Sequence, residues 1–327
     1  MNRLTLLTGL ILSAAITFAC RKPSGNDPQP DPPAKLRILG YLMSNNNWHT
    51  DMATVDFSKI TDLNLAFFNP DALGQFAINE AVRQVVEKAH NNQVRVFMSI
   101  GGGGPPAHLA GLLMPEKRGA LIAGIATLTE QYGFDGVDID LENDLINANY
   151  ASFVSELGKV LRARQKLMTA ALASWNAGKI ADSTLQAYDF VNIMSYDKTG
   201  PWNVSKPGPH SPYEMAVDDF NYFHKTRQLA AEKLLIGVPF YGYGFGTNAP
   251  SDILYKDLIV QYPGAETKDE MTVAGGGKIY YNGIPTMQKK VAFAVANKAG
   301  GIMIWELKQD SRDAKSLLSA INKGIAE

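Results

Sequence analysis

The sequence predicts an α/β fold in which eight strands alternate with helices and close into a (β/α)8 barrel. Eight short β-rich runs follow one another, amphipathic segments separate them, and no glycine-rich dinucleotide fingerprint follows the first run. Continuous apolar strands separated by helices are typical of a parallel sheet that is covered on both faces. A doubly wound open sheet is the alternative, but eight runs of similar character favour closure into a TIM barrel.

The predicted strands occupy residues 36–42, 60–68, 94–102, 134–142, 166–175, 189–197, 233–242 and 301–307. The segments between them, such as 81–92, 116–133 and 150–165, repeat apolar residues at helical spacing. The seventh connection is longer, because about forty residues from Tyr243 to Pro285 precede a last helix that begins near Thr286. This length predicts a short insertion between strands 7 and 8 on the catalytic face of the barrel.

The N-terminus predicts export. Residues 4–19 form an apolar run behind Arg3, too short for a bilayer span, which is typical of a signal peptide over residues 1–19. The single cysteine, Cys20, follows directly and resembles the lipid-modified first residue of a bacterial lipoprotein; a chance cysteine behind an ordinary cleavage site is the alternative.

Residues 20–35 are proline-rich and predict an extended tether ahead of a barrel domain over residues 36–327. We therefore expect an extracytoplasmic protein held on a membrane by a lipid anchor at Cys20. The outer membrane or cell surface is favoured, since Arg21 is not the aspartate that retains some lipoproteins at an inner membrane.

Composition excludes several classes of protein. The formal net charge is −1 and no run of lysines and arginines occurs, which argues against a nucleic-acid partner. One cysteine excludes an internal disulfide, and the five histidines show no metal-ligand spacing. We expect no metal and no cofactor.

The segment 135–142 holds the candidate catalytic residues. Side chains alternate along a strand, so Asp138, Asp140 and Glu142 share one face and three apolar residues share the other. An exposed edge strand is the alternative, but here the apolar face must meet the helices, so the three acids point into the barrel at the end where such barrels carry active sites. Crowded carboxylates force one to hold a proton near neutral pH, as glycosidic cleavage requires.

These residues resemble the glycoside hydrolase family 18 chitinases. The family motif D-G-x-D-x-D-x-E is matched by residues 135–142. The motif S-x-G-G is matched by Ser99, Gly101 and Gly102, and the motif M-x-Y-D by Met194, Tyr196 and Asp197. Gly40 and Tyr41 match the family's first strand, and Trp305 matches the end of its last strand. The resemblance covers essentially the whole domain after the tether.

The resemblance implies a retaining, substrate-assisted mechanism, an exception to the two-carboxylate scheme of most glycosidases. Glu142 is expected to be the general acid and then the general base. Asp140 and Tyr196 are expected to hold the substrate's N-acetyl group while its carbonyl oxygen attacks the anomeric carbon to form an oxazolinium ion. Asp138 is expected to share a proton with Asp140.

The resemblance also implies the substrate-binding positions. These are Asp197, Trp305 as the floor beneath the sugar, Met194, Tyr41, Ser99 and Gly102. All four tryptophans lie at or just after C-terminal ends of predicted strands, so Trp48, Trp175 and Trp202 are further candidates for stacking on sugars. His49 and His210 lie in loops on the same face and are expected to be surface residues, while residues 241–245 either line the groove or form a loop on its rim.

The expected function is endo-acting hydrolysis of β-1,4-linked N-acetylglucosamine chains, with such a polysaccharide or oligosaccharide as partner and a monomeric protein. An endo-β-N-acetylglucosaminidase that releases N-glycans is the alternative, although Asp197 after Tyr196 favours the chitinase. A sugar-binding lectin is a third possibility and is disfavoured by the presence of Glu142. A metal-dependent hydrolase is a fourth, disfavoured by the absence of partnering histidines.

Overall fold

A computed structural model of the protein describes Met1, residues 36–77 and residues 79–326. The expected signal peptide, the expected lipidation at Cys20 and the expected tether lie outside the described residues. Among the helices that are described, none combines the length and apolar character needed to cross a bilayer.

Eight parallel strands form a closed barrel in the order β1-β12-β7-β6-β5-β4-β3-β2, which confirms the predicted fold. The barrel strands are β1 (Arg37–Met43), β2 (Asp62–Ala66), β3 (Arg95–Gly101), β4 (Gly136–Asp140), β5 (Leu167–Leu172), β6 (Phe190–Ile193), β7 (Leu234–Pro239) and β12 (Gly301–Trp305). Each lies within or at the edge of a run predicted from apolar and β-branched residues.

The helices contribute buried apolar residues to the core outside the barrel. They are α1 (Trp48–Met52), α2 (Glu80–Asn91), α3 (Leu109–Leu112), α4 (Pro115–Tyr132), α5 (Tyr150–Ala163), α6 (Ser174–Ala177), α7 (Asp182–Gln186), α8 (Tyr213–Asn221), α9 (Tyr255–Gln261), α10 (Ile284–Ala296) and α11 (Leu317–Ala326). Pro285 occupies the first turn of α10, where its missing N–H costs no hydrogen bond, so the helix begins just before the predicted position.

The insertion between β7 and β12 is a small antiparallel sheet with helix α9. Its strands, in the order β10-β11-β8-β9, are β8 (Tyr241–Phe245), β9 (Asp252–Leu254), β10 (Glu270–Thr272) and β11 (Lys278–Tyr280). The predicted insertion is therefore present. Residues 241–245, for which a rim loop was one expectation, form strand β8, because Tyr241 and Tyr243 pair with residues of β9.

The strands separate two apolar regions. Val137, Ile139 and Leu141 belong to the core between barrel and helices, whereas a smaller cluster fills the barrel interior. That inner cluster consists of Leu39, Tyr41, Ala66, Phe97, Phe190, Tyr196, Leu235 and Met303. The acids of β4 face this packed interior, as the alternation of β4 predicts, so the site rests on rigid elements.

Candidate active site

Asp138 is fully buried in the barrel and accepts four hydrogen bonds. Tyr41 OH and Ser99 Oγ donate to its Oδ2 at 2.7 and 2.8 Å, while Thr169 Oγ1 and Asn192 Nδ2 donate to its Oδ1 at 2.7 and 3.0 Å. Burial raises the pKa of Asp138, and the four hydrogen bonds oppose this by stabilising the carboxylate. The four donors come from four strands, β1, β3, β5 and β6, and fix Asp138 in one orientation.

Asp140 lies one step closer to the barrel mouth and is only 4% exposed. Its Oδ1 is buried without a hydrogen-bond partner in the protein. Burial, followed by the charges of Glu142 and Asp138, raises the pKa of Asp140 well above its usual range. Asp140 therefore holds a proton more readily than an exposed aspartate does, and it presents an unpaired oxygen to an incoming group.

Glu142 follows the end of β4 and is partly exposed. Burial raises its pKa from 4.5 to about 6, and the charge of Asp197 contributes in the same direction. A glutamate with this pKa keeps a protonated fraction near neutral pH and ionises readily, which is what alternating acid and base roles require.

Tyr196 and Asp197 follow β6. Burial, and then the charge of Asp140, raises the pKa of Tyr196 far above its usual range, so its hydroxyl keeps its proton and can donate a hydrogen bond. Asp197 Oδ1 accepts a hydrogen bond of 2.6 Å from Tyr241 OH and lies 3.5 Å from His210 Nδ1. The side chain of Asp197 stays 42% exposed and thus accessible to a ligand.

His210 is fully buried, which corrects the expectation that it is a surface residue. Its ring packs against the rings of Tyr241 and Tyr243, with centroids 4.9 and 4.8 Å away, so two aromatic residues of the insertion cover it. His49 is exposed, as expected.

Trp305 closes the inner cluster at the end of β12. Its ring lies 5.3 Å from that of Tyr41 and stacks on that of Phe67 at 5.7 Å between centroids, with 25° between planes. Gly102 makes this arrangement possible, since φ there is +90° and a Cβ would lie 2.6 Å from the Phe67 ring. Its N–H also donates to the backbone oxygen of Asp140 at 2.8 Å.

The remaining candidates divide into three groups. Met194 is partly buried against the inner cluster. Trp175 and Trp202 are 64% and 62% exposed, and the Trp202 ring meets Tyr243 edge-on at 5.2 Å. The prediction for Trp48 is wrong: it is 3% exposed and its ring stacks on Phe68 at 5.6 Å. Helix α1 turns this ring into the core, so neither face is open to a sugar.

The structure thus brings together Glu142, Asp140, Asp138, Tyr196, Asp197, Tyr41, Ser99 and Trp305. Sequence patterns did not predict Thr169 and Asn192 as site residues, and they allowed two roles for Tyr241. Across residues 36–77 and 79–326, no group of three or more histidine, cysteine, aspartate or glutamate side chains is arranged to hold a metal ion.

Known proteins of one family are similar to this chain in sequence and in fold. The family model described as glycosyl hydrolases family 18 matches residues 37–310. The crystal structure of the GH18 chitinase ChiB from the chitin utilization locus of Flavobacterium johnsoniae is 36% identical, with a TM-score of 0.81 over 89% of this chain and 94% of that one.

Two named sequence relatives are more distant. A chitinase-like effector of Moniliophthora roreri is 27% identical over 68% of this chain, and Chitinase 63 of Streptomyces plicatus is 26% identical over 96% of it. The matches span 63% and 64% of the lengths of these two relatives. Both the family model and the Flavobacterium structure cover most of the barrel, so the chain belongs to glycosyl hydrolases family 18.

Proposed function

We propose that this protein is an endo-acting chitinase that hydrolyses β-1,4-linked N-acetylglucosamine chains with retention of configuration. The observation that carries the proposal is the line of three acids along β4 and just after it, each in a different environment. Asp138 accepts four hydrogen bonds, Asp140 is buried with its pKa well above the usual range, and Glu142 has a pKa of about 6. The names of the family relatives support the substrate.

In the first step Glu142 gives its proton to the glycosidic oxygen as the bond to the anomeric carbon breaks. The carbonyl oxygen of the sugar's own N-acetyl group forms the new bond to that carbon, which gives an oxazolinium ion and a shortened chain with a free hydroxyl. The Oδ1 of Asp140, unpaired in the free protein, faces the acetamide. The Tyr196 hydroxyl donates a hydrogen bond to the acetamide oxygen.

In the second step the Glu142 carboxylate removes a proton from water, and the resulting hydroxide attacks the anomeric carbon. The acetamide is restored and Glu142 is protonated again, ready for the next cycle. The two carboxylate oxygens of Asp138 accept hydrogen bonds from four donors, which stabilise its negative charge. Asp138 can therefore stabilise a positive charge that develops near Asp140. Two inversions at the same carbon give net retention.

The test compares the wild-type chain with Glu142→Gln on the N-acetylglucosamine tetramer, with Glu87→Gln, an exposed glutamate of α2, as the matched control. We expect cleavage by the wild type and the control and none by Glu142→Gln, with the β-anomer appearing first by NMR. A tetramer of unacetylated glucosamine should resist cleavage, because it lacks the attacking carbonyl.

A high-mannose glycoprotein is tested in parallel. Glycan release with an uncleaved tetramer moves the assignment to the N-glycan enzyme. Binding of the tetramer without any product assigns a lectin that kept its acids.

We also propose that the protein is held at a membrane through a lipid on Cys20. The support is the sequence alone: the apolar run of residues 4–19, the cysteine that follows it and the proline-rich segment after it. Labelling of expressing cells with a fatty-acid analogue should mark the wild type and leave Cys20→Ser unmarked. Label on both proteins, or on neither, contradicts this part of the proposal.

A further inference from the structure

A fully buried lysine lies behind the sugar-binding end of β6. Lys290, on α10, has its Nζ within hydrogen-bond distance of three oxygens: Ser211 O at 2.9 Å, Ser211 Oγ at 2.7 Å and Asn282 Oδ1 at 2.8 Å. A buried charge is costly unless it is paired and hydrogen-bonded. A lysine at this position therefore calls for a reason beyond packing.

All three oxygens act as acceptors toward Lys290. The Ser211 hydroxyl donates its own proton to Ser195 O at 2.6 Å. The amide nitrogen of Asn282 donates to Ser211 O and Tyr281 O at 2.9 and 3.1 Å, which leaves its oxygen free to accept. An ammonium has three N–H donors and a neutral amine has two, so the charged form alone satisfies all three oxygens.

Lys290 anchors residues 210–211, and this segment makes hydrogen bonds to residues that precede and follow Asp197 in the chain. Ser211 Oγ bonds to Ser195 O, and Lys198 N donates to His210 O at 3.0 Å. Asp197 has a φ of 61°, in the left-handed region, which is unfavourable for a non-glycine residue and persists where the surroundings hold it.

We propose that Lys290 is a positioning residue, which holds residues 210–211 against the end of β6 and so keeps Tyr196 and Asp197 in the orientation that the sugar requires. The proposal rests on the function proposed above. Lys290 acts through Ser211 and itself contacts neither substrate nor the acids of β4.

The network is sensitive to pH because the burial of Lys290 is opposed by only a few charges. Burial lowers its pKa to about 7, while the carboxylates of Asp269 and, on α8, of Asp219 and Glu214 act in the other direction. Below pH 7 the ammonium supplies three donors. Above pH 7 the amine has two, and one of the three oxygens loses its hydrogen bond from Lys290.

The first test measures kcat and KM on the tetramer from pH 5 to 9 for wild type, Lys290→Met and Val291→Ala. Val291 is the next residue of α10 and is also fully buried, so Val291→Ala costs stability without touching the network. Below pH 6 we expect Lys290→Met to lose about tenfold, mainly in kcat, and the control to lose less than about twofold.

The pH dependence separates positioning from loss of stability. The ratio of wild-type to Lys290→Met activity should fall at least about threefold between pH 6 and pH 9, since the wild type then loses its third donor. Glu142 titrates near pH 6 in the wild type, so a difference in its pKa between the two proteins adds only a constant factor to the ratio above pH 7, and the decline between pH 7 and pH 9 reports on Lys290. A stability defect alone gives no such decline.

A second readout needs no hydrolysis. Hydrogen exchange of the Lys198 amide should be faster in Lys290→Met, and also in Ser211→Ala, than in Val291→Ala. If the wild type cleaves no substrate, the proposed function fails while the exchange rates still decide the positioning role. Ser211→Ala decides it if Lys290→Met does not fold. Exchange in the variants equal to that in Val291→Ala, or an activity ratio that does not change with pH, overturns the proposal.

Discussion

The charge of Asp197 helps to keep Glu142 protonated, and Asp197→Asn isolates that contribution. Glu142 has to carry a proton to act as an acid, so kcat/KM should fall as the pH rises through about 6. The substitution removes the charge and keeps an oxygen that can accept from Tyr241 OH. The pKa of Glu142 should therefore fall, and the alkaline limb of the profile should move to lower pH.

The size of this movement follows from the two causes of the raised pKa. Burial is the larger cause and the charge of Asp197 the smaller, and together they raise the pKa of Glu142 from 4.5 to about 6. Asp197 thus accounts for less than half of that difference. We expect the limb to move down by about 0.3 to 0.7 pH units, which is at most about 1 kcal/mol in the ionisation of Glu142.

The assay follows tetramer cleavage between pH 4 and pH 8 at low substrate concentration and constant ionic strength. Asp257→Asn is the control, because Asp257 is an exposed residue of α9 and its loss changes the net charge equally. The rate of Asp197→Asn should also drop, but the midpoint of the limb remains measurable. An unmoved limb, or one moved to higher pH, refutes the coupling between Asp197 and Glu142.

Four further substitutions test other parts of the protein. Thr169→Val removes one hydrogen bond to the buried Asp138 carboxylate and should lower the free energy of unfolding by about 1–3 kcal/mol in urea denaturation at pH 7. Trp48→Ala should lower the free energy of unfolding by about 3–5 kcal/mol. Trp175→Ala should change the free energy of unfolding by less than about 0.5 kcal/mol, but it should weaken binding of the N-acetylglucosamine hexamer in calorimetry. Gly102→Ala pushes a methyl group into a phenylalanine ring at a left-handed position, so kcat/KM on the tetramer should fall more than about tenfold; a rate within twofold of wild type contradicts this reasoning.

The fold and the acids of β4 were predictable because they depend on short-range patterns. Apolar runs of strand length define the eight strands, and alternation with a period of two places Asp138, Asp140 and Glu142 on one face. Ser99 and Tyr41, two partners of Asp138, were predicted from family motifs. The strand register agrees for Ser99, which lies opposite Asp138 in the pairing of β3 with β4.

Thr169 and Asn192 were missed although the sequence held a signal for them. Each is the polar residue at an inward-facing position of an otherwise apolar stretch, in L-M-T-A-A-L and F-V-N-I. Thr169 lies opposite Asp138 in the register of β4 and β5. A buried polar side chain needs a partner, and in a barrel interior the acid at the same level is the available one.

Trp48 shows what strand position alone leaves undetermined. A residue that follows the C-terminal end of a strand lies on the catalytic face, but the direction of its ring depends on the next turn of chain. Trp48 begins α1, and its ring turns toward Phe68 and the core, whereas Trp175 and Trp202 remain exposed. Position along the barrel strand predicts which face of the barrel carries the tryptophan backbone, and local packing decides whether a sugar could reach the ring.

The surroundings of Asp197 were the least predictable part, since they come from distant chain segments. Its hydrogen bond to Tyr241 joins residues 44 positions apart, and that tyrosine begins the first strand of the insertion. His210, fully buried, packs against Tyr241 and Tyr243 of this strand, and its Nδ1 lies 3.5 Å from Asp197 Oδ1. The insertion therefore does more than line the mouth of the barrel: it supplies a direct partner to a residue of the M-x-Y-D motif. The motifs indicate the chemistry, while the contacts that orient Asp197 arise from tertiary packing that no local pattern encodes.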